Sequence, residues 1–230
     1  MWLRRFLPEH HLSPESRDTV KLAMGLVATM SALLLGLLVN SAKTSYDTTR
    51  MQVMQVASKF ALVDRVLGIY GPRAAEVRDQ LPALIEESTR QIWQGDTTIP
   101  LQRKPSYEVG NAFYTALLRL EARDDTERTL KAQAVNLILE LGQLRSLMSA
   151  ESTPSLSKPM LIVVVLWLVM IFLSFSLLAP SNTTANIALF ASALCAAGAV
   201  LLILELTRPF GGLMRISNEP MLAVLHEGGK

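Results

Sequence analysis

Cysteine is almost missing from this sequence: Cys195 stands alone, so no intramolecular disulfide and no cysteine-based metal site can form. Charge is scarce as well. Asp, Glu, Lys and Arg make up 18% of the 230 residues, below the roughly 25% of ordinary soluble domains. The formal net charge is only +2, which argues against nucleic acid or a strongly acidic partner. Histidine is limited to His10, His11 and His226; the first two are adjacent and on a helix would point about 100° apart, a poor arrangement for one metal. No Gly-rich phosphate loop and no zinc-protease or serine-hydrolase motif occurs. The acidic pairs Glu86-Glu87 and Asp124-Asp125 have no partner at a catalytic spacing and read as solvated helix faces. Neither an enzyme nor a cofactor or metal site is expected.

What the chain has in excess is apolar: 50% of its residues are hydrophobic. They concentrate in Leu22 to Val39, Met160 to Ala179 and Ile187 to Leu206, none with an interior charge until Glu205 near the end of the last. Each block is close to the ~20 residues that cross ~30 Å of hydrocarbon at 1.5 Å per residue. The first block is longer and lies farther from Met1 than the apolar part of a cleaved secretory signal, so it reads as a retained span. The expected organisation is an amino-terminal flank at 1–19, spans at 20–40, 160–179 and 187–206, a helical region at 41–159 and a tail at 207–230. Lys43, Arg50, Lys59, Arg145, Lys158, Arg208 and Arg215 outnumber Arg4, Arg5, Arg17 and Lys21 on the opposite flank, while the turn Pro180 to Asn186 has no charge. By the positive-inside rule the long middle region and the tail are cytosolic, in an inner-membrane, multi-pass protein.

The middle region reads as helical. Val53, Val56, Phe60, Val63, Leu67 and Tyr70 recur at steps of three and four, a one-sided apolar seam. No breaker separates it from the first span, so one helix is expected to run out of the bilayer and stop at Gly71-Pro72. A helix over Pro72 to Gln94, kinked at Pro82, follows, then a loop from Gly95 to Ser106 and a resumption of helix near Tyr107. From Asp124-Asp125 the series Leu130, Ala134, Leu137, Leu141, Leu144, Met148 forms a second seam, expected to pack on the first. Glu151 to Pro159, rich in Ser and Pro, links to the second span.

Small residues mark the first span: Ala28, Ala32 and Gly36 recur every fourth position, with Gly25 and Thr29 beside them and Asn40 at the end. Such a seam lets backbones approach closely where lipid supplies no hydrophobic drive. It serves helix packing, or it lines an axial pathway in which Thr29, Ser31 and Asn40 meet a dehydrating ion. The last span is equally small-sided from Ala191 to Ala199. Glu205 and Arg208 stand at i,i+3 and suit an interfacial ion pair or a pore mouth. Directly after them Pro209-Phe210-Gly211-Gly212 must end the helix, leaving Leu213 to Leu225 to lie along the membrane or fold back.

Several blocks together resemble the bacterial bestrophin-like domain family: Pro8-Glu9-His10-His11, Val20 to Thr29, Leu37 to Lys43, Leu62-Val63-Asp64-Arg65, Tyr70-Gly71-Pro72 and Leu204 to Gly212. The resemblance covers nearly the whole chain. It implies an all-α, multi-pass transmembrane bundle with a long-helix cytosolic hairpin region, distantly similar to bestrophins, which are pentameric anion channels. It also implies a further spanning helix ahead of Arg4-Arg5, the three blocks then being the second, third and fourth crossings. Nothing resembles the acidic calcium-binding run of animal bestrophins. The expected function is a homo-oligomeric passive pathway for small anions in the lipid bilayer, with Gly25, Ala28, Thr29, Ala32, Gly36 and Asn40 as pore-lining or packing residues and Glu205, Arg208, Pro209, Phe210 and Gly211 as pore mouth or structural turn. The competing class is a non-conducting scaffold or sensor whose cytosolic helices bind a protein partner.

Overall fold

The computed structural model describes residues 14–94, 108–151, 158–178 and 182–227, and among them every regular element is helical. His10, His11, the loop from Gly95 to Ser106, and most of the Glu151 to Pro159 linker lie outside the described residues. The helices are α1 (Pro14–Tyr70), α2 (Ala75–Arg78), α3 (Leu81–Gln94), α4 (Glu108–Arg119), α5 (Asp125–Glu151), α6 (Lys158–Leu178), α7 (Thr183–Leu206) and α8 (Glu219–Glu227). The chain divides into two compact units, one of residues 1–46 and 154–207, the other of 47–153 and 208–230.

In the first unit, α1, α6 and α7 each carry a window long and apolar enough to cross a membrane, and those windows are only 11%, 11% and 6% buried within the chain. Leu22 is 78% exposed and Phe190 72%. Water would not tolerate so much uncovered apolar surface, whereas hydrocarbon does, so this is a membrane protein. The helices meet where Leu38 and Ala42 of α1, Val164 of α6 and Ile203 and Leu206 of α7 are buried together. Residues 38–42 lie beside 160–168 and 203–206, and residues 28–35 beside 168–175 and 189–192. α6 is therefore antiparallel to α1, and α7 runs parallel to it.

Asn182 caps α7, its side-chain oxygen accepting from the Ala185 amide at 2.8 Å. The helix thus begins four residues ahead of the expected Ile187, because Asn182 followed by Thr183-Thr184-Ala185 is a start signal as well as a turn composition.

In the second unit the predicted seam of α1 is the core: Val53, Val56, Phe60, Val63, Leu67 and Tyr70 are all buried. All but Val53 join Leu81, Leu84 and Ile85 of α3, Phe113 and Leu117 of α4, Ala134 and Leu141 of α5, and Met221 and Val224 of α8. The remaining seam residues of α5, Leu130, Leu137, Leu144 and Met148, pack against that cluster partly buried. α1 stops at Gly71, whose φ of 93° and ψ of −162° belong to glycine alone, and Pro72 opens a 3-10 turn over Pro72–Ala74.

The continuous helix expected from Pro72 to Gln94 is instead interrupted at residues 79–80, and α3 starts at Leu81 with Pro82 in its first turn. A first-turn amide has no intrahelical acceptor, so proline there costs nothing that a mid-helix kink would. Lys131 caps the end of α4, donating to the Leu118 and Leu120 carbonyls at 2.7 and 2.8 Å. Asp124 is the cap of α5, accepting from the Glu127 amide at 2.7 Å, while the Glu127 carboxylate accepts from the Arg123 amide at 2.8 Å, a reciprocal arrangement of the capping-box type.

Candidate functional site

Helical geometry decides what the small residues of α1 can do. At 100° per residue, Gly25, Thr29, Ala32, Gly36 and Asn40 share one stripe, roughly 140° around from the face that buries Ser31, Leu38 and Ala42. All five are exposed within the chain. A Cβ built on Gly25 or Gly36 meets nothing within 4 Å. Among the described residues, no other helix packs closely on this seam at Gly25 or Gly36.

Ala28 departs from the others: half-buried, it lines a half-open groove of about 400 Å³ with Ser31, Ala32, Leu35, and residues of α6 and α7. Ala32 borders both the groove and the outward stripe.

The polar groups behave differently from the expectation that Thr29, Ser31 and Asn40 act together. Thr29 donates its hydroxyl proton to the Gly25 carbonyl at 2.5 Å, which leaves its oxygen only an acceptor toward anything else. Ser31 sits on the packed face, 2% exposed. Only Asn40 presents side-chain donors along the stripe. Such a face can narrow a passage; it has little with which to bind an anion.

At the other end of the unit, Glu205 lies in the last turn of α7, half-buried. The helix closes at Thr207, whose amide bonds the Ile203 carbonyl and whose hydroxyl donates to Leu204 O at 2.7 Å. Arg208 is exposed, and its carbonyl accepts from the Gly211 amide at 3.1 Å. The Pro209 carbonyl accepts from the Ile216 amide at 2.7 Å, closing a loop in which Gly212 takes φ 75°.

Phe210 stands edge-on to Trp93 of α3, ring centroids 5.5 Å apart, and the Trp93 indole N–H donates to Ile216 O at 3.0 Å. Of the two destinations open to the tail, folding back is the one observed, since α8 buries Met221 and Val224 in the core of the second unit. Trp93 had not been singled out from sequence. An indole beside a polar loop needs an acceptor for its N–H, and that requirement was its only signal.

Glu87 corrects the view that both acidic pairs are solvated faces. Its side chain is 14% exposed and accepts from Arg90 and Gln91, both at 2.5 Å. Chiefly the Arg90 hydrogen bond, with help from Gln91 and the nearby Arg90 and Arg145 charges, holds its carboxyl below the usual range against the opposing effect of burial. Arg145 reaches the buried Ser88 hydroxyl at 3.4 Å and also the Gln91 side chain. Among the described residues no group of His, Cys, Asp and Glu is placed to hold a metal ion.

Three crystal structures of single-substitution variants of a bacterial bestrophin homologue from Klebsiella pneumoniae share this fold. Two of them superpose with TM-scores of 0.70 and 0.69 at 15% and 14% identity, covering 90% and 91% of this chain and 85% and 88% of theirs. The third gives a TM-score of 0.67 at 16% identity, with 91% and 88% covered. Comparison with curated proteins finds no match. The Bestrophin-like domain model matches residues 1–221, the spanning helices and the helical unit alike, and the chain belongs to that family.

Proposed function

We propose that the chain is one subunit of a homo-oligomer, of five copies by analogy, that forms a passive pathway for small anions across the inner membrane, with the Gly25, Thr29, Ala32, Gly36, Asn40 face of α1 turned to the axis. The observation that carries this reading is the stripe itself, exposed and, at Gly25 and Gly36, without a close neighbour among the described residues. In hydrocarbon, an exposed row of glycine and alanine gains nothing from lipid that leucine would not gain better. It gains from the close approach of another backbone or from a narrow aqueous space. Membership of the bestrophin-like family and the likeness to the Klebsiella pneumoniae homologue support a channel-type membrane protein and give no support to catalysis.

The chemistry of the stripe favours a constriction over a binding site. Thr29 has committed its proton, and the alanines and glycines offer no donors, so an ion passing there sheds water without replacement. Weakly hydrated anions such as iodide then pass more readily than chloride. Asn40 supplies amide donors where the apolar block ends, Glu205 and Arg208 are candidates for the mouth, and the tail with the helical unit is cytosolic by the charge asymmetry.

A second reading, the non-conducting scaffold, is favoured by one feature. Met51, Met54, Leu62 and Ile69 are exposed on α1 beyond its apolar block, where a protein partner could cover them. Halide efflux from liposomes containing the assembled oligomer separates the two. Efflux well above empty vesicles, with iodide faster than chloride, supports the pathway; efflux equal to empty vesicles removes it and leaves the scaffold.

A further inference from the structure

The loop between α7 and α8 is held at both ends and bare at its tip. Phe210 stands against Trp93, the Trp93 indole donates to the Ile216 carbonyl, and the Ile216 amide donates to the Pro209 carbonyl. Between these anchors residues 212–215 are all exposed. Leu213 is 87% exposed, more than Leu22 or Phe190 of the apolar spans, and Met214 beside it is 44% exposed.

A single bare leucine in a water-facing loop calls for no explanation. This one differs in its place and in its company. It follows Leu206, the last residue of the apolar helix α7, by only seven positions, roughly 25 Å even at full stretch. The turn from Arg208 to Gly211 and the closing bond from Ile216 to Pro209 keep the chain well short of full stretch. The headgroup layer into which α7 delivers the chain extends about 5–7 Å beyond the hydrocarbon. Arg208 and Arg215 flank the tip, both exposed, with no acidic residue between them.

We propose that residues 212–215 form a fixed membrane-surface anchor: Leu213 and Met214 enter the boundary between acyl chains and headgroups of an anionic phospholipid leaflet, and Arg215 meets the phosphates. An apolar pair beside a basic side chain suits that boundary, because the long arginine stem lies in the apolar layer while its charge stays among the headgroups. A second copy or a soluble protein is a poorer cover. Four tip residues fall far short of the roughly 20–30 residues a side that a stable protein interface uses. The anchor stands whether or not the protein conducts.

The test uses the full-length chain in a Cys195→Ser background, spin-labelled at single introduced cysteines in phosphatidylcholine vesicles with or without one-third phosphatidylglycerol. Paramagnetic resonance reads the ratio of collisions with oxygen, which concentrates in hydrocarbon, to collisions with a water-soluble nickel chelate. The aqueous reference is Thr126→Cys, exposed at the start of α5, next to the segment whose Glu121 carbonyl accepts from Tyr70 at the end of α1. Tyr70 lies about 45 Å along that helix from Asn40. Leu213→Cys should give a ratio several-fold above that reference and below that of Phe190→Cys in α7. The ratio at 213 should rise with phosphatidylglycerol, and Arg215→Gln should abolish the rise. Four outcomes would overturn the proposal: a ratio at 213 equal to that at 126, a label immobilised and shielded from both reagents as a protein cover would make it, the same ratio in both lipids, or a rise that survives Arg215→Gln.

Discussion

Glu86 and Glu87 are adjacent and chemically identical, yet only Glu87 is gripped by Arg90 and Gln91 near the Arg145 guanidinium. Because its carboxyl is held below the ordinary range, the folded state binds a proton less readily than the unfolded chain. Its contribution to stability is therefore complete above the unfolded value of ~4.3 and fades as pH falls through the depressed folded value. Glu87→Gln should lower the melting temperature at pH 7, and the gap from wild type should narrow as the pH is taken from 5 toward 3, read by thermal melts in detergent. A gap that stays constant down to pH 3 would mean that the ionised form contributes nothing.

The sequence could not separate these two acids. Arg90 stands within one helical turn of both, and its choice of Glu87, with a smaller contribution from the Arg145 charge of another helix, is settled by packing that α3 alone does not declare. Asp124 was more readable, since an acid three residues ahead of a glutamate is a local signal that needs no tertiary partner.

At the scale of elements, α1 teaches which patterns survive translation into structure. Its second half has polar residues between the apolar ones, so steps of three and four define a face, and that face is the core. Its first half is apolar all round, and periodicity there is mute: the small residues announce close approach without saying to what. Pro82 shows a different limit. Proline marks a discontinuity equally well as a kink or as the first turn of a new helix, and the choice fell to the turn at 79–80.

Gly71 is the firmest punctuation. Gly71→Ala must force a side chain into φ 93°, and should cost about 1–3 kcal/mol, measured by denaturation of the detergent-solubilised protein; an unchanged stability would mean that the α1 terminus relaxes freely. Gly36→Leu makes the opposite prediction. A side chain there meets nothing within its own chain, so helix content and the oligomer mass in detergent should be preserved while the added bulk at the axis lowers halide efflux. A mass that falls toward that of a monomer would make the stripe a packing contact between copies and not a pore wall.

For the molecule as a whole, the helical class and the apolar helices were readable because bilayer energetics leave so few alternatives. Backbone polar groups in hydrocarbon must be satisfied internally, and long uncharged runs have no better solution than helices. Among the several blocks that together carried the family resemblance, Tyr70-Gly71-Pro72 and Leu204 to Gly212 are places where the chain must turn sharply on glycine and proline. The groove beside Ser31 had no sequence signature, because it is lined by residues of three helices far apart in the chain, among them Ala28 and Ala32 of α1, Phe172 and Phe175 of α6 and Leu189 of α7.

The account depends most on which side of α1 faces other copies, and Cys195, the lone cysteine, makes that directly measurable. In a Cys195→Ser background, Asn40→Cys and Leu37→Cys place thiols on two exposed faces of α1 roughly 60° apart, and Thr29→Cys repeats the first face higher on the helix. Oxidation of membranes should link copies through positions 29 and 40 far more efficiently than through 37. Efficient linkage at 37 with none at 29 or 40, or no linkage at any of the three, would contradict it.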